Sequence, residues 1–226
     1  MSEQTLAVDA VVLSVEGEAL RTVVIKRHAA PFAGAYCLPG GFVGYEEPLE
    51  DAVRRVLQAK AGLVPDHLEQ LYTFGAPGRD PRGRVVSVAY LAIVRALPKL
   101  GKGALAMDLH VPWEGETGGP AYAMREAERV PTGFDHADIL GLAAQRVRGK
   151  LTYTALGFAF LAPQFTLAQV RTVYEVLLGR RLNKDSFRKS LLASHDLVAT
   201  GERQADVGHR PAELYRLGHR VVHTLS

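Results

Sequence analysis

Cysteine is almost absent from this chain of 226 residues, because Cys37 is its only one. A single cysteine excludes an internal disulfide and a zinc site built from several cysteines. The sequence also lacks an apolar run near the ~18 residues that a membrane-spanning helix needs, and its first residues lack the basic segment of a secretion signal. We therefore expect a cytoplasmic protein with no membrane partner, in which Cys37 is a small core residue.

A strong net charge is lacking as well, since the formal value is only +3. The charge is unevenly distributed: residues 1–150 contain 17 basic and 18 acidic side chains, whereas residues 151–226 contain 10 and 6. The first part therefore suits a ligand-binding or enzyme domain. The second, which is basic, suits a domain that faces an anionic polymer.

Glycine is plentiful and marks one segment. The run Leu38-Pro39-Gly40-Gly41 predicts that a strand ends in a loop whose backbone can lie close to a ligand, because glycine has no side chain to obstruct the approach. A helix is predicted from about Pro48 to Ala61, with proline at its first position, acidic residues near its positive end and Gly62 as its stop. Its buried face is predicted from three apolar residues spaced by four: Val53, Leu57 and Ala61.

This frame resembles the Nudix box. Counted from Gly41, five positions of that box are in register: Glu47, Arg55, Leu57, Gly62 and Leu63. At the three positions where the family places its metal-site glutamates, the chain has Val56, Ala59 and Lys60.

Magnesium requires several hard oxygen ligands, and none of these three side chains supplies one. The resemblance therefore implies a Nudix scaffold with no catalytic residues and no bound metal. The alternative is that carboxylates at the other end of the helix are recruited instead, namely Glu46, Glu47, Glu50 or Asp51.

The loop of residues 75–84 contains three arginines between two predicted strands, at 68–74 and 85–94. Guanidinium groups recognise phosphate oxygens, so this loop is suited to an anionic ligand. Its Arg-Asp-Pro-Arg element resembles the Nudix subgroup that acts on or binds ADP-ribose and related NAD metabolites. The resemblance implies that Arg79 and Arg82 contact the diphosphate or ribose, and that Asp80 holds an arginine or a ribose hydroxyl. The alternative is a solvated basic hairpin tip.

The candidate ligand-binding residues come from these segments. They are Arg27, Gly40, Gly41, Arg55, Lys60, Arg79, Asp80 and Arg82. Arg27 follows a predicted hairpin of strands at 6–15 and 19–26, and it is either a ligand contact or an ordinary strand-end charge. For Lys60 we hypothesise that its ammonium lies where the metal charge of an active site would lie, so that a diphosphate is neutralised without activation of water.

The segment from 97 to 131 is the least regular, with short strands predicted near 107–111 and 122–129. A helix is predicted from about 135 to 151, capped by Asp135 or Thr132. His136 is assigned a structural role, because an isolated histidine is more often a satisfied core residue than a catalyst.

The second part predicts a helix-turn-helix. A capping box at Thr166 begins a helix that ends at Gly179, and Asn183 caps a second helix with basic and hydroxyl side chains on its exposed face. Two predicted strands, at 197–201 and 212–217, form a wing that suits contact with DNA. The candidate DNA-binding residues are Arg181, Asn183, Lys184, Ser186, Arg188, Lys189, Arg203 and Arg210. Such modules also dock proteins, which is the alternative.

The two parts together resemble the Nudix-related transcriptional regulators of NAD metabolism, the NrtR family. The resemblance implies an α+β chain with a Nudix α/β/α sandwich on a mixed sheet at residues 1–151 and a winged helix-turn-helix domain at 152–226. It further implies a homodimeric repressor that binds a double-stranded DNA operator near NAD-metabolism genes. ADP-ribose or a related nucleotide diphosphate would be its effector, and no cofactor is implied. Two alternatives remain: a magnesium-dependent Nudix pyrophosphatase, and a nucleotide-sensing scaffold that docks proteins.

Overall fold

The computed structural model describes residues 4–204 and 211–218. Within these residues the first domain has one mixed sheet with strands β1 Thr5–Glu16, β2 Ala19–Lys26, β3 Tyr36–Cys37, β4 Gly40–Phe42, β5 His67–Phe74, β6 Val85–Ile93, β7 Ala104–His110, β8 Tyr122–Arg125 and β9 Glu128–Arg129. The spatial order is β5-β6-β1-β2-β7-β8-β9, with β3 added beside β2 and β4 beside β1. β1 and β6 are parallel, whereas β1 and β2 form an antiparallel hairpin.

Two helices, α1 Leu49–Ala61 and α2 His136–Lys150, cover opposite faces of the sheet. Alternate residues of a strand point to opposite faces. Val8 and Val12 of β1 accordingly pack with α1, and Val11 and Leu13 pack with α2. The predicted α/β/α sandwich with a mixed sheet is therefore confirmed.

Local signals in the sequence place the helices well but misjudge some of their ends. Gly62 stops α1 in the left-handed conformation, at φ 68°, as predicted, whereas Pro48 precedes the helix instead of opening it. Of the two predicted cap residues of α2, Asp135 occupies the N-cap position, but its side chain makes no capping hydrogen bond.

The prediction that Gly40 and Gly41 lie in a loop is also wrong. Both belong to the short strand β4, where they pair with Asp9 and Val8 of β1. A glycine pair has weak strand propensity, so the pairing comes from the neighbouring strand and not from local sequence.

The second domain contains a short 3-10 helix and the elements α3 Leu167–Leu178, α4 Lys184–Ser194, β10 Leu197–Arg203 and β11 Glu213–Leu217. The predicted capping box is confirmed: Gln169 N donates to Thr166 Oγ1 at 3.2 Å, and Thr166 N donates to Gln169 Oε1 at 2.7 Å. Asn183 caps α4 by accepting from Ser186 N at 3.0 Å. β10 and β11 pair antiparallel as the predicted wing.

The two domains share one apolar core. The cluster that α2 forms on the sheet continues through Phe158 and Phe165 into α3, and it reaches Leu191 of α4. A continuous core fixes the second domain against the first more firmly than a flexible linker would.

Candidate functional site

A cavity of about 210 Å³ lies where β1, β2 and β4 meet the loop between β5 and β6 and the start of α2. Its lining consists of Ala7, Asp9, Ile25, Arg27, Cys37, Leu38, Gly40, Gly41, Phe42, Lys60, Arg79, Asp80, Arg82, Val85, Phe134 and His136. The structure thus brings together seven of the eight residues predicted to bind a ligand. Arg55 is the exception, since it does not line this cavity.

Gly40 forms part of the cavity floor and has no room for a side chain. A Cβ atom at this position would overlap the carboxylate of Asp9 and would approach the carbonyl oxygen of Val8 to 3.0 Å. Gly41 is less restricted, because its Cβ would meet a methyl group of Val56 at 3.0 Å. The close packing of β4 on β1 therefore explains the glycine at position 40.

Asp9 is a buried carboxylate that the sequence analysis missed. Ser87 Oγ donates a hydrogen bond to it at 2.6 Å, and Nη2 of Arg79 and Nε2 of His136 lie 3.5 and 3.6 Å away. The available signal was one acidic residue inside an otherwise apolar strand. Such a residue is retained only where partners compensate for its lost hydration.

Arg79 and Arg82 are both held by carboxylates. Nε and Nη2 of Arg79 donate to Asp135 at 2.8 and 2.6 Å, and the side chain is only 5% exposed. Arg82 donates to Asp80 through Nε and Nη2 at 2.9 and 2.6 Å. The Arg82 guanidinium keeps the pKa of Asp80 below its usual value. Asp80 therefore fixes an arginine, which was one of its two predicted roles.

Lys60 points from the last turn of α1 into the cavity, where its ammonium donates to the carbonyl oxygen of Gly40. Burial lowers the pKa of Lys60, and Asp9 acts in the opposite direction. The other positions aligned with metal-site glutamates differ: Val56 is buried in the core against β1, and Ala59 is exposed.

Arg55 is bound outside the cavity by Glu47. Its Nε and Nη2 donate to the two carboxylate oxygens at 2.6 and 2.7 Å, and Nη2 also donates to Phe42 O at 3.1 Å. Arg55 lowers the pKa of Glu47 to about 2. These hydrogen bonds connect α1 to the end of β4. A ligand contact by Arg55 stays a prediction.

Aromatic rings and guanidinium groups form the rim of the cavity. The Arg82 guanidinium lies 5.6 Å from the ring centre of Phe42 and 5.7 Å from that of Phe134. Arg27 lies 5.2 Å from the Phe134 ring, and Phe32 packs edge-to-face on the same ring at 4.8 Å. Phe134 and Phe42 were not predicted to bind a ligand, because isolated phenylalanines are usually core residues.

His136 lies at the back of the cavity and is buried. Its Nδ1 accepts a hydrogen bond from Leu38 N at 2.9 Å, in agreement with the structural role assigned to it. Burial lowers its pKa, which favours the neutral imidazole that such an acceptor requires.

A second candidate surface lies on α4. Lys184, Ser186, Arg188 and Lys189 are exposed, whereas Phe187 packs against Tyr174 of α3 at a ring distance of 5.2 Å. Arg203 ends β10 and is exposed, and Arg210 lies outside the described residues. The helix therefore presents a basic face, as predicted.

Arg181, in the turn between α3 and α4, is not free for a phosphate. Its guanidinium donates to Glu18, in the β1–β2 turn of the first domain, at 2.9 and 3.1 Å and to Glu175 of α3 at 3.2 Å. Its predicted DNA contact remains untested and would require exchange of these partners.

Comparisons with known proteins match both domains. The NUDIX domain profile matches residues 3–113, and the profile of the NrtR DNA-binding winged helix domain matches residues 157–217. An ADPR-responsive transcriptional repressor of Acinetobacter baylyi is 33% identical over 213 residues, which cover 93% of this chain and 81% of the relative. The chain belongs to the NrtR family.

Solved structures of NrtR support the same two-domain arrangement. Shewanella oneidensis NrtR complexed with a 27mer DNA aligns with a TM-score of 0.73 at 30% identity, covering 94% of this chain and 93% of that one. The NUDIX domain of the same NrtR, complexed with ADP ribose, aligns with a TM-score of 0.52 at 28% identity over 65% of this chain and 90% of the domain.

One relative is an enzyme. An ADP-ribose pyrophosphatase of Methanocaldococcus jannaschii is 41% identical over 71 residues, which cover 31% of this chain and 42% of the enzyme. In the part of the NrtR-family chain that the structure describes, no helix is long and apolar enough to cross a membrane.

Proposed function

We propose that this protein is a transcriptional repressor of NAD-metabolism genes that binds ADP-ribose, or a closely related nucleotide diphosphate, in the cavity of its Nudix domain. Its second domain binds operator DNA through α4. The observation that carries the proposal is the presence, in one chain, of a cavity rich in cations and a capped helix with an exposed basic face. The NrtR structures with DNA and with ADP ribose support each half separately.

The cavity suits a diphosphate. Four cationic side chains line it against two carboxylates, Asp9 and Asp80. Positive charge in a partly buried site binds anions more strongly than the same charge in bulk water does.

We further infer that the ligand is bound and not hydrolysed. Among the described residues, no group of three or more His, Cys, Asp or Glu side chains is placed to hold a metal ion. Glu47, the one box carboxylate in register, already accepts two hydrogen bonds from Arg55. Lys60 supplies a positive charge to the cavity without activating a water molecule.

A pyrophosphatase is the second candidate, favoured by the similarity to the Methanocaldococcus jannaschii enzyme. Exposed Glu46, Glu50 and Asp51 surround the start of α1 and are the carboxylates that would have to bind magnesium. Hydrolysis of ADP-ribose that requires magnesium and is abolished in Glu47→Gln supports this candidate. Intact ADP-ribose after prolonged incubation with magnesium contradicts it.

The exposed side chains of α4 suit different parts of DNA. Lys184, Arg188 and Lys189 suit phosphate oxygens, and Ser186 suits a base edge. Asn183 Oδ1 already serves as the helix cap, so only its amide nitrogen is left to donate. We propose a homodimer on a palindromic operator, because two copies of one recognition helix read two equivalent half-sites.

The testing experiment is a gel shift on the DNA upstream of the protein's own gene, with unrelated DNA as control, with and without ADP-ribose and in the presence of EDTA. We expect a specific shift that ADP-ribose alters. Affinity should fall with salt, by about 0.9 logarithmic units per phosphate contact for each decade of salt. Lys189→Ala should weaken binding, whereas Lys99→Ala, an exposed change in the first domain, should not. A salt-independent or non-specific shift contradicts the proposal.

A further inference from the structure

The four cations of the cavity are not equivalent. Arg79 is paired with Asp135 and lies near Asp9, and Arg82 is paired with Asp80 through two short hydrogen bonds. The positive charge of each arginine is therefore already balanced by a carboxylate. A ligand phosphate would have to compete with these ion pairs, one of which is almost completely buried.

Arg27 and Lys60 have only neutral partners. Nε of Arg27 donates to Pro31 O at 2.8 Å, and Lys60 donates to Gly40 O. Within residues 4–204 and 211–218, neither side chain takes part in an ion pair at 4.0 Å or less. A carbonyl oxygen orients a cation but does not cancel its charge, and Asp9 acts on Lys60 only from beyond ion-pair distance. Arg27 and Lys60 are therefore the two cavity cations without a carboxylate partner among the described residues.

The two cations also act on each other. Burial has the largest effect on the pKa of Lys60 and lowers it; the charge of Asp9 raises this pKa, and the nearby charge of Arg27 lowers it. Two like charges held close together in a partly buried site repel each other, and a bound anion relieves that repulsion. The carbonyl contact of Lys60 keeps its ammonium beside Gly40 at the cavity lining.

The rim has a different chemistry. Phe42 is 51% exposed and Phe32 is 41% exposed, which is unusual for phenylalanine. Phe32 and Phe134 also have positive φ angles of 63° and 56°, a backbone conformation that bulky residues rarely adopt and that concentrates at functional sites. Together with the planar guanidinium of Arg82, these rings offer flat surfaces for stacking of a planar heterocycle.

We propose that Arg27 and Lys60 bind the diphosphate of the effector, and that Phe42, Arg82 and Phe134 hold its aromatic base. This assignment rests on the proposed function and fixes the direction of the nucleotide in the cavity. It replaces the expectation that Arg79 and Arg82 contact the diphosphate. Arg79 is instead a positioning residue that connects Asp9 to Asp135.

The test is calorimetric binding of ADP-ribose in EDTA, with competition by inorganic pyrophosphate as a probe that lacks the base. Arg27→Gln and Lys60→Gln should each lower the affinity for both ligands roughly tenfold, because each substitution removes a charged hydrogen bond. Phe42→Ala should lower the affinity for ADP-ribose by a similar factor and leave the affinity for pyrophosphate unchanged. The matched controls are Arg54→Gln and Lys26→Gln, both exposed and outside the cavity, and they should bind like the wild type.

The outcomes separate the assignment from the function. If Arg27→Gln and Lys60→Gln bind both ligands as tightly as the wild type while Arg82→Gln loses pyrophosphate, the assignment is overturned and the proposed function stands. If the wild-type chain binds no ADP-ribose, the proposed function fails and the assignment fails with it. Thermal unfolding of each variant checks that a loss of binding does not reflect a loss of fold.

Discussion

At the scale of single residues, Asp9 organises the cavity. It accepts from Ser87, lies beside Arg79 and His136, and occupies the space that a side chain at position 40 would need. A buried carboxylate is tolerated only when hydrogen bonds and opposite charges surround it. The positions of these cavity residues therefore depend on one another.

Gly40→Ala tests this dependence. The added methyl group would overlap Asp9 and crowd the backbone of Val8. We expect a loss of about 1–3 kcal/mol in the free energy of unfolding, measured with urea, and loss of ADP-ribose binding. Gly75→Ala is the matched control, since its nearest atoms would be at 3.8 Å. Equal behaviour of the two variants would contradict the packing argument.

His136 predicts a dependence on pH. Burial lowers its pKa below the usual 6.5, so the unfolded chain binds the proton more readily than the folded one. The contribution of neutral His136 to the stability of the folded state is therefore fully present above pH 6.5, and it is lost as the pH falls through the lowered pKa.

Urea unfolding between about pH 8 and about pH 5 measures this effect. The free energy of unfolding should fall less steeply in His136→Asn, which keeps an acceptor for Leu38 N and cannot be protonated in this range. Acidic partners at Asp9 and Asp135 oppose the shift, whereas Arg79 and Arg27 reinforce it. Parallel pH profiles for the two proteins would rule out His136 as the cause.

At the scale of elements, the helix-turn-helix is positioned mainly by its helix ends. The capping box begins α3, Gly179 ends it in the left-handed conformation, and Asn183 begins α4. Each of these helix caps provides hydrogen-bond partners for backbone groups that the helix itself leaves unpaired. The recognition helix is thus held at a defined angle before any DNA contact forms.

Thr166→Ala measures the contribution of the capping box. We expect a loss of about 1 kcal/mol in the free energy of unfolding, because Gln169 N loses its acceptor. Thr172→Ala, within α3, is the control: alanine favours helix interiors, so this change should be neutral or slightly stabilising. Should both substitutions have the same effect, the capping box would not be what anchors α3.

At the scale of the whole molecule, two rigid elements join the cavity to the DNA-binding domain. Strand β1 carries Asp9 in its first half and ends at Glu16, about 23 Å further along at the usual rise of a strand, where the turn to β2 contains Glu18. Helix α2 has His136 at one end and Arg148 near the other, about 18 Å away. Arg148 is buried and donates to Leu177 O in the last turn of α3 at 2.9 Å. Both elements therefore run from residues of the cavity to contacts with the second domain.

Glu18→Gln tests the contact between the domains. Glu18 is one of the two carboxylate partners of Arg181, so its neutralisation should leave the guanidinium paired with Glu175 alone. If Arg181 contacts DNA phosphates as predicted, operator binding should strengthen by roughly two- to fivefold at low salt. Glu46→Gln removes the same charge from an exposed site in the first domain and is the control. Fluorescence anisotropy over a salt series measures both variants, and identical affinities would show that the ion pair does not restrain Arg181.

Much of the fold could be predicted because its signals are local. Glycine stops, capping residues and apolar spacing depend on neighbours within a few positions, and they located α1, α3, α4 and the wing. The short strand β4 was missed because its pairing partner is the distant strand β1. Asp135 is at the N-cap of α2 as predicted, but its carboxylate is bound by Arg79, 56 positions earlier in the chain, and so it does not cap the helix.

The sequence by itself determined the arginine-rich loop, the helix that presents a basic face, and the family that the chain resembles. Only the tertiary structure decided which of these charges are free. The sequence alone predicts that Arg79, Arg82 and Arg181 contact a ligand or DNA. In the folded protein each of them forms an ion pair with a carboxylate. Among the described residues, Arg27 and Lys60 form no ion pair with a carboxylate. The physical reason is that electrostatic interaction depends on distance through space, which the order of residues along a chain does not specify.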